Sequence, residues 1–155
     1  MNIKNVVSKE LVITKEDLRE KENIIIESIE NCIINIPCHI KSLYIKDIKD
    51  SKLRVGAVSG ASFINEMLNS EIHLCSHQIR IHNSHQVDFY LIAKSNPIIE
   101  HCDNVRFGVA KICYDEFESH LKEAQLFEIN NLFNQVQDFN WLKQDKSPNW
   151  NEIAK

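Results

Sequence analysis

Glycine and proline are scarce, three of each in 155 residues, so the turns of this chain cannot rest on the two usual turn formers. They fall to Asn, Asp, Ser and Lys-rich corners, whose side chains bond to nearby backbone groups. Long apolar runs are missing too. Nothing approaches a membrane span, Met1-Asn2-Ile3-Lys4 does not open a signal peptide, and the second residue is not the glycine that myristoylation needs. A cytoplasmic location is expected. Positive charge is in short supply: 18 Lys and Arg against 22 Asp and Glu leave a net charge of −4 with no basic stripe. That excludes a broad phosphate-tracking surface for nucleic acid. The five cysteines, Cys32, Cys38, Cys75, Cys102 and Cys113, are odd in number and never spaced as CxxC, which argues against a disulfide framework or a zinc knuckle. Reduced, mostly buried thiols are expected. No Gly-rich phosphate loop is present, so neither nucleotide binding by the chain itself nor any cofactor is expected.

What the chain has is isoleucine at a beat. One domain's length of sequence carries runs at 24–29, 43–48, 62–68, 78–82 and 97–100. They align Ile26, Ile45, Ile64, Ile81 and Ile99 at steps of 17 to 19 residues. A second column follows: Ile34, Leu53 or Val55, Ile72 or Leu74, Phe89 or Leu91, and Val105 or Phe107, separated by corners such as Lys49-Asp50-Ser51, Asn69-Ser70 and Asp103-Asn104. Period alone leaves a hairpin-connected sandwich open as an alternative. Isoleucines in equivalent places favour an all-β parallel β-helix, in which successive coils stack like on like.

Within this series, Gln78-Ile79-Arg80-Ile81-His82 sets one arginine between two isoleucines. Strand side chains alternate between faces, so Ile79 and Ile81 point inward while Gln78, Arg80 and His82 share the outer face. The coil register puts Arg80 beside Phe63 and Ile98, and His82 beside Asn65 and Glu100, with Arg80 and Glu100 diagonal neighbours. Arg54 and Arg106 take outward positions in other coils and are read as solvated wall charges or rim contacts. His73, His77, His82 and His85 should fall on different faces, so no metal site is expected. Beyond Tyr114 the character changes. Asp115 could cap a helix with Glu118 reaching back, Phe117, Leu121, Phe127 and Leu132 form an apolar stripe, and residues 1–22 and 115–155 are the natural caps of a solenoid over 23–114. Trp141 and Trp150 are read as anchors that dock such a cap.

The stretches "NCIINIP", "QIRIH" and "NPIIEHCDNVRFG" and the tail "DFNWLKQDKSPNW" resemble, in order and spacing, the C-terminal domain of the tubulin-binding cofactor C family. This C-CAP/cofactor C-like domain is shared with the retinitis pigmentosa GTPase-activating protein. The resemblance runs from about Asn23 to Trp150. It implies a right-handed parallel β-helix that activates a GTPase in trans rather than hydrolysing nucleotide itself. The family's arginine finger falls on Arg80 and its partner glutamate on Glu100. The family's glutamine three residues before the arginine is replaced by His77, and Gln78, on the same outer face as Arg80, could substitute. The implied partner is β-tubulin, acting with other tubulin-folding cofactors in a cytoskeletal setting. A small Arf-like GTPase is the second possibility and a non-catalytic scaffold the third. His77, His82, Phe63, Asn65, Arg54 and Arg106 are the expected partner-binding residues.

Overall fold

Corners set the repeat. In the computed structural model, which describes residues 1–154, two left-handed residues three apart recur once per coil. The first column is Asn5, Ser28, Asp47, Glu66, Asn83 and His101, with φ from 51° to 59°; the second is Ser8, Asn31, Asp50, Asn69, Gln86 and Asn104, with φ from 47° to 56°. Short polar side chains tolerate this region best after glycine, and seven of these twelve are Asn or Asp, which explains how a chain with three glycines turns so often. None of the glycines has a positive φ. Between the two left-handed residues one side chain turns inward, giving the buried column Ile29, Ile48, Met67, Ser84 and Cys102. Corner side chains also bond from coil to coil: Asn69 Nδ2 donates to Asp50 Oδ1 at 2.6 Å and Asn31 Nδ2 to Ser8 Oγ at 3.0 Å.

These corners join two long walls, and every strand pairing is parallel. The first wall stacks β1 (Asn2–Val7), β3 (Asn23–Glu30), β5 (Ser42–Lys49), the middle and end of β6 (Lys52–His82), β8 (Ile98–Glu100) and β10 (Gln137–Asp138). Ile3, Ile26, Ile45 and Ile64 face one another in register, as do Ile81 and Ile99. The second wall stacks β2 (Glu10–Val12), β4 (Ile33–Ile36), further stretches of β6, β7 (His85–Ala93), β9 (Val105–Val109) and β11 (Trp150–Glu152). It carries Leu11, Ile34 and Leu53, then Ile72, Phe89 and Phe107. Both isoleucine-based columns are therefore the core of a parallel β-helix, and Phe89 stacks on Phe107 at 5.3 Å.

Both ends are built as rungs of the solenoid, and residues 1–22 cover its first end as a coil of their own. β1 pairs with β3, β2 pairs with β4, and the short helix α1 (Lys15–Leu18), capped by a Thr14–Asp17 capping box, buries Leu18. At the other end the tail adds β10 and β11 as further rungs, and Trp150 meets Phe107 edge-on at 5.9 Å. The helix after Tyr114 is α2 (Phe117–Glu123). It starts from Glu116, without the expected Asp115–Glu118 capping box, and it covers a side of the solenoid rather than an end. Small residues there, Ala57 and Cys75, leave room for Leu121, Ala124 and Leu126 to pack as a separate apolar cluster. Gly56 is part of this fit: a Cβ there would lie 2.3 Å from the Cys38 carbonyl oxygen and 2.4 Å from the Tyr114 hydroxyl. No helix among the described residues is long and apolar enough to cross a membrane.

Candidate functional site

The alternation read around Arg80 is present. Ile79 and Ile81 are buried, and Gln78 and Arg80 are exposed on the first wall. Arg80 pairs with Ile98 and His82 with Glu100. On the preceding coil a 17-residue offset, seen directly in Leu68 opposite His85 and Ser70 opposite Val87, brings Phe63 to Arg80 and Asn65 to His82. The Phe63 ring lies 4.8 Å from that of His82, and Asn83 Nδ2 donates to Asn65 Oδ1 at 3.0 Å. The wall thus gathers Arg80, Gln78, Phe63, Asn65, His82 and Glu100 on one surface.

Within that surface Arg80 stands unengaged. Among the described residues it makes no ion pair and no side-chain hydrogen bond, and it lines a shallow depression of about 240 Å³ with Gln78, Ser95, Asn96, Ile98 and Gln137. Glu100 does not clamp it. Its carboxylate lies 3.7 Å from His82 Nε2 on one side and 3.7 Å from His101 Nε2 on the other. A guanidinium is permanently charged and offers a planar fork of donors. Held on a hydrogen-bonded strand without an internal acceptor, it is available to an external anion, above all a phosphate.

Three expected partner-binding residues lie elsewhere. Arg54 and Arg106 are outward on the second wall, opposite Asn35 and Asp88 respectively. Arg106 is tied to Asp88 through both carboxylate oxygens, at 2.8 and 2.7 Å. His77 is half-buried, and its Nε2 meets the Ala124 carbonyl just past α2, so it fastens the helical cover to the solenoid. His73 is buried on the second wall, stacked on Tyr90 at 4.4 Å, and accepts from the Lys111 backbone N–H at 3.1 Å. Burial holds its pKa below the ordinary value despite the nearby Glu71 carboxylate. His85 sits at a corner against Asp103. Among the described residues no group of His, Cys, Asp and Glu could hold a metal ion.

Four of the five thiols are free and buried. Burial pushes Cys38 up to about 11 and Cys75 up to about 12, and it raises Cys102 as well. These are inert wall residues, since nucleophilic attack needs the thiolate. The tail motif has a structural account. Asp138 Oδ2 accepts from Ser147 Oγ at 2.7 Å and Asn149 Nδ2 at 2.8 Å, while Oδ1 accepts from the Asn140 N–H at 3.0 Å. Partial burial opposes ionisation of Asp138, but these hydrogen bonds outweigh it and hold its carboxyl below the usual range. Sequence reasoning passed over Tyr44, which stacks on Phe63 at 5.6 Å with the rings 8° from parallel. The signal was available, because the 19-residue step back from Phe63 lands on it.

The sequence model of the family described as Tubulin binding cofactor C matches residues 21–139. Tubulin-folding cofactor C of Arabidopsis thaliana is 34% identical over 125 residues, covering 81% of this chain and 36% of that protein. Protein XRP2 of Mus musculus is 29% identical over 118 residues, covering 76% of this chain and 34% of that protein. The chain thus spans about a third of the length of these relatives. Among solved structures, Tubulin Binding Cofactor C from Leishmania major superposes with a TM-score of 0.62 at 20% identity, covering all of this chain and 84% of that one, which shows a shared fold. With the family pattern matched over residues 21–139, this chain belongs to the tubulin binding cofactor C family.

Proposed function

We propose that this chain is a GTPase-activating domain that supplies Arg80 in trans to GTP bound by β-tubulin, during assembly of the tubulin heterodimer with other folding cofactors. The observation that carries this reading is the contrast at Arg80 itself: a fixed strand position, an exposed side chain and, among the described residues, no acceptor for its guanidinium. GTP hydrolysis is accelerated chiefly by positioning and by positive charge at the transferring phosphoryl group, for which an arginine finger is worth on the order of 10³ to 10⁵ in rate. Gln78 shares the depression with Arg80 and is the side chain suited to orient the attacking water, because His77 is engaged with the Ala124 carbonyl. Glu100, braced by His82 and His101, faces the partner beside the arginine and orients polar groups of the GTPase. The chain itself hydrolyses nothing in this scheme. It acts in the cytoplasm, with the cytoskeleton.

A second reading replaces tubulin by a small Arf-like GTPase, and the likeness to Protein XRP2 favours including it. Both are tested by single-turnover GTP hydrolysis, by tubulin with the other folding cofactors and by a panel of Arf-like GTPases, each with wild-type chain and with Arg80→Ala. Stimulation that disappears with Arg80→Ala while binding persists supports an arginine finger and names its substrate. Binding with no stimulation of any GTPase would leave a scaffold and sink the proposal. A Glu100→Ala variant that kept full binding and full stimulation would remove Glu100 from the site.

A further inference from the structure

The outward row that carries Arg80 does not start with it. Passing back coil by coil, its neighbours are Phe63, then Tyr44, then Ile25, related by successive pairings along the first wall. All three are apolar where a solvated strand face would be polar. Tyr44 is 36% exposed and Ile25 37%, with Phe63 half-buried beneath the Tyr44 ring. The adjoining outward row, Glu27, Lys46 and Asn65, is polar, and Glu27 also pairs with Lys4 at 3.6 Å. An apolar strip edged by charges of both signs has the make-up of an interface core and its rim.

From this we infer that the Ile25–Tyr44–Phe63 ladder is the docking strip for the same GTPase whose phosphates Arg80 reaches, so that binding and catalysis are divided between coils. The inference rests on the proposed role of Arg80. Distance commits the strip to that occupant. Neighbouring strands lie about 4.8 Å apart, which places Phe63, Tyr44 and Ile25 roughly 5, 10 and 15 Å from Arg80 along the wall. A standard interface covers about 800 Å² on each partner, a disc of roughly 16 Å radius. A footprint of that size centred on the guanidinium therefore covers the ladder as well. Stacked aromatics suit this task, because a rigid ring gives contact area at little entropic cost and the strand beneath holds it in place. The complementary surface is an apolar patch beside the nucleotide site of the GTPase, bordered by charges of both signs.

The test is steady-state stimulation of αβ-tubulin with the folding cofactors, or of the Arf-like GTPase that wild-type chain stimulates, titrated with wild-type, Tyr44→Ala, Tyr44→Thr and Arg80→Ala chains. Tyr44→Thr keeps a strand-forming residue, and thermal unfolding of each variant reports whether it folds. The ladder predicts a rise of about ten- to thirty-fold in KM for both Tyr44 variants with kcat within about twofold of wild type. Arg80→Ala should instead lose kcat and keep KM. Folded Tyr44 variants with unchanged KM would overturn the docking strip while leaving the arginine finger standing. Arg80→Ala with unchanged kcat, or wild-type chain that stimulates neither GTPase, would remove the finger and the strip together.

Discussion

Arg80 and Arg106 occupy the same kind of place, outward on a strand between two inward apolar residues, yet they live opposite lives. On the second wall Arg106 has an acid on the rung before it, and Asp88 takes both its donors. On the first wall Arg80 has Phe63 before it and Ile98 after it, and neither can accept a hydrogen bond. The second wall also stacks other side chains coil on coil: His73 lies flat on Tyr90, and Phe89 and Phe107 stack beneath. Exposed apolar side chains occur on both walls, Val12, Ile33 and Val109 among them on the second, but only the first sets a row of them, Ile25, Tyr44 and half-buried Phe63, in line with an arginine that has no acceptor opposite it and beside a carboxylate between two imidazoles. A side chain's role in a solenoid is decided by its neighbours one coil away, not by those beside it in the chain.

If that contrast is right, substitutions should separate by wall. The largest effect belongs to Arg80→Ala, which should lower stimulated hydrolysis by about 10³ or more and leave the melting temperature unchanged. Arg80→Lys should fail to restore it, because a point charge cannot span two oxygens. Next comes Phe89→Ala, which empties the stacked pair under the second wall and should cost about 3–5 kcal/mol in denaturant unfolding, with activity per folded molecule intact. Loss of catalysis at equal folded concentration would blur the division.

Acid provides a smaller test. Burial keeps His73 and His120 below their ordinary value near 6.5. The unfolded chain therefore takes up protons that the folded chain resists. Their contribution is full above pH 6.5 and is lost as pH falls through the lower folded values. Melting temperature should drop across that window, and His73→Gln, which keeps an acceptor for the Lys111 N–H, should flatten part of the fall. The smallest effect is that of Arg106→Ala. Its pair is bidentate but solvent-exposed, so the loss should be about 0.2–1 kcal/mol, with no change in stimulated rate.

Much of this was readable from the chain, and the failures have physical causes. Ile26, Ile45 and Ile64 showed the coil because identical side chains stack best when the step is constant. The first coil escaped notice because α1 lengthens its step to 23 residues, from Ile3 to Ile26. The place of α2 could not be read from its own stripe, since it depends on two small residues, Ala57 and Cys75, opening a patch on a distant face. Arg106 could have been separated from Arg80 at once: an 18-residue step back reaches Asp88, whereas the residues directly opposite Arg80 on the adjoining rungs are Phe63 and Ile98, and the acid nearest in register, Glu100, lies on the diagonal. His77 was the harder case, because its partner is a backbone carbonyl 47 residues away.

The paired left-handed corners have a consequence for how such a chain can grow. Their separation is always three residues, while the distance from one pair to the next runs 23, 19, 19, 17 and 18. All of the variation falls in the remaining stretch of each coil, which acts as an expansion joint. One joint holds the whole of α1. Arg80 lies at the end of the tightest one, in the 17-residue step that ends at Asn83. Residues can be gained elsewhere in the solenoid by paying out slack. A single insertion between Arg80 and Ile81 falls too close to the Asn83 corner for the joint to take it up, and it would turn Arg80 from the outer face to the core.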